Sequence, residues 1–412
     1  MKSNYKRLGD YIKEVKTRNT ELKAETLLGI NMDKFFMPSV ANVVGTEMSV
    51  YKIVKKNQFA CNRMHVGRDF RLPVSMSKSD EEFMVSPAYD VFEISDTDIF
   101  YPEYLMMWFT RREFDRNAWF YTDADVRGGL HWKALCDMQL PIPIITKQKE
   151  IVKEYNVIQN RIDLNQQLIQ KLEETAQAIY KQWFVDFEFP EENGKPYKSN
   201  GGEVVFNEDL QKEIPLGWSF SPLSNYVKIN SGFAFKSNWW TDSGLPVIKI
   251  GTIQNNTISE AELEFVSEFN DFNKASYRVG KGDIVIAMTG FTMGKIGLVP
   301  NFLPSYYVNQ RVGFFKLGNN NYHKAGYLFC TLSSQNFQNE IWSFGGDSQQ
   351  FNVSNDQVGS IKVIQPDNKA LIEEFNIKTD PLFERMITIQ SSNRYLLKLK
   401  DLLLSKLATI EN

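Results

Sequence analysis

Cysteine is scarce in this chain: 412 residues hold three, Cys61, Cys136 and Cys330, far apart and in no Cys-x-x-Cys pair. An odd, scattered set argues against a disulfide framework and against a structural zinc site, and it suits a reducing compartment. Histidine is equally scarce, at three residues, so nitrogen ligands for a metal are few. No uninterrupted apolar run approaches the about 20 residues that a membrane-spanning helix needs. The first residues carry Lys2, Lys6, Arg7 and Asp10 where a signal peptide needs an apolar stretch. The expectation is a cytoplasmic protein with no membrane partner. A large excess of one charge is missing too. The formal net charge is −3, so any surface for nucleic acid has to be local.

What is present is globular. The hydrophobic fraction is 42% and the charged fraction 24%, and the length implies two or three domains. The most informative feature is a weak internal duplication. Tyr5, Leu8, Tyr11 and Ile12 align with Phe220, Leu223, Tyr226 and Val227 at an offset of 215. Tyr104 and Leu105 match Tyr327 and Leu328, and Trp119 matches Trp342, at offset 223. Residues 140–142 match 361–363 at offset 221. A collinear set with a slowly drifting offset reads as two related halves.

Each half opens with β-branched and aromatic runs punctuated by Gly and Pro. Residues 245–250, 283–287 and 311–315 are examples, and they read as strands in a mixed α/β globule. Each half then closes on a stretch with helical period. In the first, Ile151, Tyr155, Ile158, Ile162, Asn165, Ile169, Leu172, Ala176, Ile179 and Trp183 follow at alternating spacings of four and three. That is a coiled-coil seam, on a helix far longer than the globular norm. The second seam reads Ile389, Ser392, Leu396, Leu399, Leu403, Lys406 and Ile410, with Lys406 on the stripe while Leu407 lies beside it. Asn165 and Ser392 put a small polar group at matched places. Such a group either fixes register or is simply tolerated. The fold class expected is α+β: two mixed α/β domains separated by two long helices that pair as an antiparallel coiled coil, with pseudo-two-fold symmetry, a ruler with a reader at each end.

The segment between the halves reads Ala178-Ile-Tyr-Lys-Gln-Trp183-Phe-Val-Asp186-Phe-Glu-Phe-Pro190, then Gly201-Gly-Glu203, then Glu213-Ile-Pro-Leu-Gly-Trp218. It resembles the central region of type I restriction–modification specificity subunits. The second half continues in that vein with Ser231-Gly-Phe-Ala-Phe-Lys-Ser237, Gly282-Asp-Ile-Val-Ile-Ala287 and Asn309-Gln-Arg-Val-Gly313, and the first half supplies Ser86-Pro-Ala-Tyr-Asp-Val-Phe92. The resemblance implies a first target recognition domain over 1–146, a central spacer helix over 147–189 and a linker over 190–218. A second recognition domain over 219–367 and a C-terminal spacer helix over 368–412 follow. It further implies that each domain reads half of a split site on double-stranded DNA. Two methylating subunits and endonuclease/translocase subunits would join the chain; S-adenosylmethionine and ATP with Mg would be used by those partners, with no cofactor in this chain. The first domain departs from the pattern, having Asn57-Gln-Phe-Ala60 where the second has Gly282-Asp-Ile-Val285.

Local charge bears on this. Residues 49–79 carry Lys52, Lys55, Lys56, Arg63, Arg68, Arg71 and Lys78 against Asp69, a net +6. Residues 274–316 carry six Lys or Arg against Asp283, a net +5. Lys and Arg neutralise phosphates, while Arg, Asn and Gln read base edges. Arg63, Arg68 and Arg71 are therefore DNA-contact candidates, as are Lys78, Lys236 and Lys295, although a solvated charge is the plainer reading of any single lysine. His65 reads equally as a packing histidine or a base reader. Arg127 beside Gly128, and Gln349 and Gln350 after residues 344–348, sit in Gly-loosened loops at corresponding places. Asn309, Gln310 and Arg311 complete the set, with a strand interior as the alternative for the first two. The pairing set is Ile158, Ile162, Asn165, Ile169, Leu172 and Ala176 against Ile389, Ser392, Leu396, Leu399 and Leu403.

Catalytic chemistry is missing. A DNA amino-methyltransferase needs Asn/Asp-Pro-Pro-aromatic, but Asp380-Pro381 continues to Leu382. Asp186 and Glu188 lack the lysine of a metal-dependent nuclease. The turn from Gly290 to Lys295 is one residue short of a phosphate-binding loop, with Ile296 where Ser or Thr should be. The chain is expected not to be an enzyme and to hold no metal. The alternative is a non-catalytic coiled-coil scaffold that binds protein partners.

Overall fold

The computed structural model describes residues 5–39, 45–64, 66–122, 128–268, 275–317, 322–345 and 351–409. Contacts divide the chain into two compact units, one of residues 1–161 with 397–412 and the other of residues 162–396. The class is α+β. No helix among the described residues is long and apolar enough to cross a membrane.

The first unit is built on a four-stranded antiparallel sheet in the order Ile12–Val15, Asp90–Ile94, Phe59–Cys61, Val74–Met76. Alternation splits these strands between two cores. Phe59, Cys61, Phe92, Ile94 and Val74 face a cluster with Tyr104, Leu105 and Phe109 of the helix Pro102–Phe109, while Ala60 and Val91 face a smaller one with Val54 and Val85. The second unit repeats the plan in the order Ile229–Ser231, Val312–Phe315, Ile284–Ala287, Ile296–Leu298, all antiparallel, with two further short strands added. Its alternation is the same. Ile284, Ile286, Ile296 and Phe315 face one core, and Val285, Ala287, Val312 and Phe314 the other.

The duplication extends to single hydrogen bonds. Tyr5–Arg7 pairs with Gln139–Pro141, and Trp218–Pro222 pairs with Lys362–Pro366, both antiparallel. The buried hydroxyl of Tyr104 donates to the Pro141 carbonyl at 3.2 Å, and that of Tyr327 donates to the Ile364 carbonyl. A buried tyrosine requires such an acceptor, which is why this residue pair stands out in the sequence. The three cysteines are buried, Cys61 and Cys136 in one core and Cys330 in another, and burial pushes the Cys61 and Cys330 thiols up.

The long helices run over Ile145–Tyr180 and Lys369–Lys406. They pair antiparallel, because partner numbers rise on one as they fall on the other. In the first unit Lys400 donates to Gln159 at 2.6 Å and lies over the Tyr155 ring, and Leu404 and Leu407 join the core with Ile151 and Val152. In the second, Asn165 donates to Asn393 at 2.6 Å, and Ala176 and Tyr180 share a core with Ile372, Phe375 and Phe383. On the first helix Ile158, Ile162, Asn165, Ile169, Leu172 and Ala176 are all buried or half-buried. On the second, Ile389 is buried and Leu396 and Leu403 are half-buried, but Ser392 and Leu399 are exposed. The inward residues there are Asn393, Lys400, Leu404 and Leu407, one place along from Ser392, Leu399, Leu403 and Lys406. The amide of Asn165 therefore meets Asn393, not Ser392; Ile410 of that stripe lies outside the described residues.

The first helix ends in a π-turn over Lys181–Val185, after which Phe187 adopts φ +63°. This exit explains the aromatic motif. Phe184 packs edge-on to Tyr327 and Phe375 at ring-centre distances of 4.9 and 5.1 Å, and Phe189 stacks between Tyr197 at 4.5 Å and Trp218 at 5.1 Å. A Cβ on Gly202 would lie 2.4 Å from the Tyr197 ring, so only glycine fits there. Asp186 is held by Lys181 at 2.6 Å, and the Ser199 side chain, together with the Ser199 amide that donates to Glu188 at 3.1 Å, keeps the Glu188 carboxyl below the usual range. Residues 190–218 are more than a linker, since Val204–Asn207 and Lys212–Pro215 form a hairpin.

Candidate nucleic-acid interface

In both units the loop between the third and fourth strands of the shared order is strapped to a later segment by paired backbone hydrogen bonds. In the first, the Gly67 amide donates to Gly128 at 2.7 Å and the Leu130 amide to Arg63 at 2.9 Å. In the second, the Gly290 amide donates to Phe351 at 2.8 Å and the Val353 amide to Met288 at 3.0 Å. Gly67 and Gly128 touch so closely that a Cβ on either would lie 2.7 Å from the other's Cα, and Gly128 also has φ +57°. Arg127, Gln349 and Gln350 directly precede these straps but, like His65, lie outside the described residues.

The second unit gathers more segments at this place. The Phe233 amide donates to Val308 at 2.7 Å and the Gln310 amide to Phe233 at 2.9 Å, while the Met288 amide donates to Arg311 at 3.1 Å. The Asn355 amide side chain donates to the Ser231 hydroxyl at 2.7 Å. A Cβ on Gly232 would lie 2.1 Å from the Asn309 carbonyl oxygen, so the glycine of the Ser231–Ser237 motif exists to let these backbones meet. Residues 231–236, 288–295, 309–311 and 351–355 are thus laced together, and none of them is acidic. Lys236, Lys295, Gln310 and Arg311 are exposed, and Asn309 is half-buried with its side-chain oxygen accepting from the Arg311 amide at 3.3 Å. Among the described residues none of the three cations is ion-paired; Lys236 lies over the Trp239 ring. Asp283, the one acid of 274–316, is 6% exposed and caps the Gly280 amide at 2.9 Å. Among the described residues, then, no acid is ion-paired with Lys236, Lys295 or Arg311.

The first unit differs. Its apparent +6 is offset by acids from outside the counted window. Lys55 pairs with Glu82 at 2.8 Å, Lys56 with Asp80 at 2.5 Å and Arg71 with Asp33 at 3.4 Å. Arg68 is exposed and holds Asp69 through two hydrogen bonds of 2.7 and 3.0 Å, which raises its own pKa further. Arg63 was expected to contact DNA, and the structure gives it another task. It is four-fifths buried, donating to Asp90 at 2.5 Å and to the Leu130 carbonyl with Trp132 beneath it, an internal strut for the strap. Lys78 is exposed on a separate rim with Thr26, Phe36 and Ser79, around a cavity with about 280 Å³ open to water. Arg68 and Arg71 remain beside the strapped loop; Lys78 does not join it.

Sequence reasoning missed the aromatic residues of these loops. Phe291, at the tip of the turn Gly290–Thr292, is 85% exposed and touches Phe351, which touches Trp342. Phe70 is 60% exposed and touches Trp119 at 5.3 Å. The matched tryptophans at offset 223 were the available signal.

Residues 215–373 match the model of the type I restriction modification DNA specificity domain. The chain is 23% identical over 429 aligned positions to the type I restriction enzyme HindI specificity subunit of Haemophilus influenzae, covering 91% of both chains. It is 23% identical over 294 positions to the MjaIX specificity subunit of Methanocaldococcus jannaschii, covering 69% of this chain and 64% of that one. The crystal structure of the type I restriction–modification S subunit of M. genitalium shares the fold, with a TM-score of 0.54 at 15% identity over 99% of this chain and 96% of that one. The matched domain spans the laced segments of the second unit, and the first unit repeats its strand order and its strap. Residues 215–373 thus match the type I restriction modification DNA specificity domain, and the chain along its length is similar to type I restriction enzyme specificity subunits.

Proposed function

We propose that this chain reads a bipartite site on double-stranded DNA, one half with each strapped loop region, and directs partner subunits that methylate and cleave. The observation that carries the reading is the acid-free set of laced segments in the second unit, bearing Lys236, Lys295 and Arg311 beside Asn309 and Gln310. Cations neutralise phosphates, and amide and guanidinium side chains read base edges. Catalysis then belongs to the partners, which use S-adenosylmethionine and ATP with Mg, and the chain works in the cytoplasm where DNA lies.

Counterion release supplies the test. Affinity for duplex should fall linearly on a log–log plot against salt, and Lys295→Ala and Arg311→Ala should each reduce the slope by about 1 if each meets one phosphate. Fluorescence anisotropy across a salt series measures this. Slopes that match the parent chain would remove both residues from the interface.

Two methylating subunits dock, on this reading, on the outer faces of the long helices. Val157 and Leu164 are 63% and 57% exposed on the first helix, and Ile377 and Tyr395 are both 68% exposed on the second. These exposed apolar side chains on helices that already have a partner support the reading. Glu at Leu164 and Ile377 should abolish co-purification of methylating subunits while leaving the fold intact by circular dichroism. Undiminished co-purification would locate the docking surface elsewhere.

A further inference from the structure

Each of the two strapped loops holds an aromatic ring that is mostly exposed. Phe70 has φ +56°, a region where a β-carbon is crowded and glycine is at ease, yet the ring gained by that strain is 60% exposed. Phe291 follows Gly290, which has φ +64°, and its ring is 85% exposed. Burial repays neither residue. Both loops join the same pair of strands in the shared order, and both rings are backed by an aromatic contact, Phe70 by Trp119 and Phe291 by Phe351. Both loops carry cations: Arg68 and Arg71 lie within two residues of Phe70, each paired with an acid, Asp69 and Asp33, and Lys295 follows Phe291 on a loop without acids.

An apolar ring held out of the fold on a loop that also carries cations suits a ligand that is anionic at its rim and apolar within. Duplex DNA has that profile: cations take the phosphates, while a phenyl ring enters a groove to meet a thymine methyl or to lever a base step. We propose that Phe70 and Phe291 are the apolar base-contacting residues of the two half-sites, one per loop. This rests on the DNA-reading function above and adds to it the residues that touch bases, not phosphates.

Two variants of the full chain test it. Phe291→Ala removes a ring that supports no core. Phe70→Gly removes a ring and relieves the backbone, so its melting temperature should be unchanged or higher. Each should weaken binding to the cognate duplex by about tenfold or more, as loss of a base-contacting aromatic does, without changing the salt slope. Each should also relax discrimination at one half-site only. Cognate affinity within twofold of the parent, or a loss that appears as a reduced salt slope, would overturn the inference. A parent chain without salt-dependent duplex binding would instead overturn the DNA-reading function itself.

Discussion

Exchange of residues 1–146 for the matching stretch of a related chain will change one half of the methylated DNA site and leave the other half as it was. The expectation rests on separate cores. Phe59, Phe92, Phe109 and Leu140 belong to one cluster and Ile284, Phe315, Tyr327 and Ile361 to another. The strap of each loop is also made within its own unit. The exchange leaves Ile151, Val152, Leu404 and Leu407 in place, so the donor must offer an apolar surface where these residues pack. With that condition met, specificity at one half-site should be replaced outright, an effect on the scale of three decades or more between specific and non-specific affinity. Sequencing of methylated sites from cells carrying the hybrid reads this directly. Change in both half-sites together would mean that the two loops act as one contiguous reader.

The largest stability effect should come from the exit of the first helix. Phe184 is 1% exposed and touches Tyr180, Trp183, Trp218, Tyr327 and Phe375. Phe184→Ala would open a cavity that five rigid rings cannot close, at a cost of about 3–5 kcal/mol. The loss should be local. Hydrogen exchange in Ile284–Ala287, whose inward residues share that core, should accelerate strongly, while exchange in Phe59–Cys61 stays as in the parent. A uniform, small acceleration in both strands would contradict the separation of cores.

The fold was legible where one physical demand dominated. Strands at 245–250, 283–287 and 311–315 correspond to Leu245–Ile248, Ile284–Ala287 and Val312–Phe315, because each buries residues on both faces and so reads as an apolar run. The first helical seam was clean, since polar residues separate its apolar positions. The second was read one place off, because Leu396, Leu397, Leu399, Leu402, Leu403 and Leu404 offer an apolar residue on several faces and the spacing cannot choose among them. Leu397, Leu399 and Leu402 prove to be outside. The helix ends were set by details the period does not carry: Ile145–Tyr180 starts before residue 147 and passes into a π-turn before 189.

The candidate site was less legible. A charge count along the chain cannot see Asp33, Glu82 or Asp90, which reach the first unit's cations across strands and loops. Nor can it see that Arg63 is turned inward onto Asp90 and the Leu130 carbonyl. In the second unit the one acid of residues 274–316, Asp283, is spent on a turn. Phe70 and Phe291 went unremarked because an aromatic residue reads as core by default, and exposure is a property of the folded loop alone.

The central claim is that this chain chooses where its partners act, and a genome-wide map of methylated bases tests it most directly. Comparison of cells with and without the gene should show one motif, made of two short specified halves around an unspecified gap, fully methylated in the first and unmethylated in the second. An unchanged map, or loss of methylation at a contiguous motif with no gap, would contradict it.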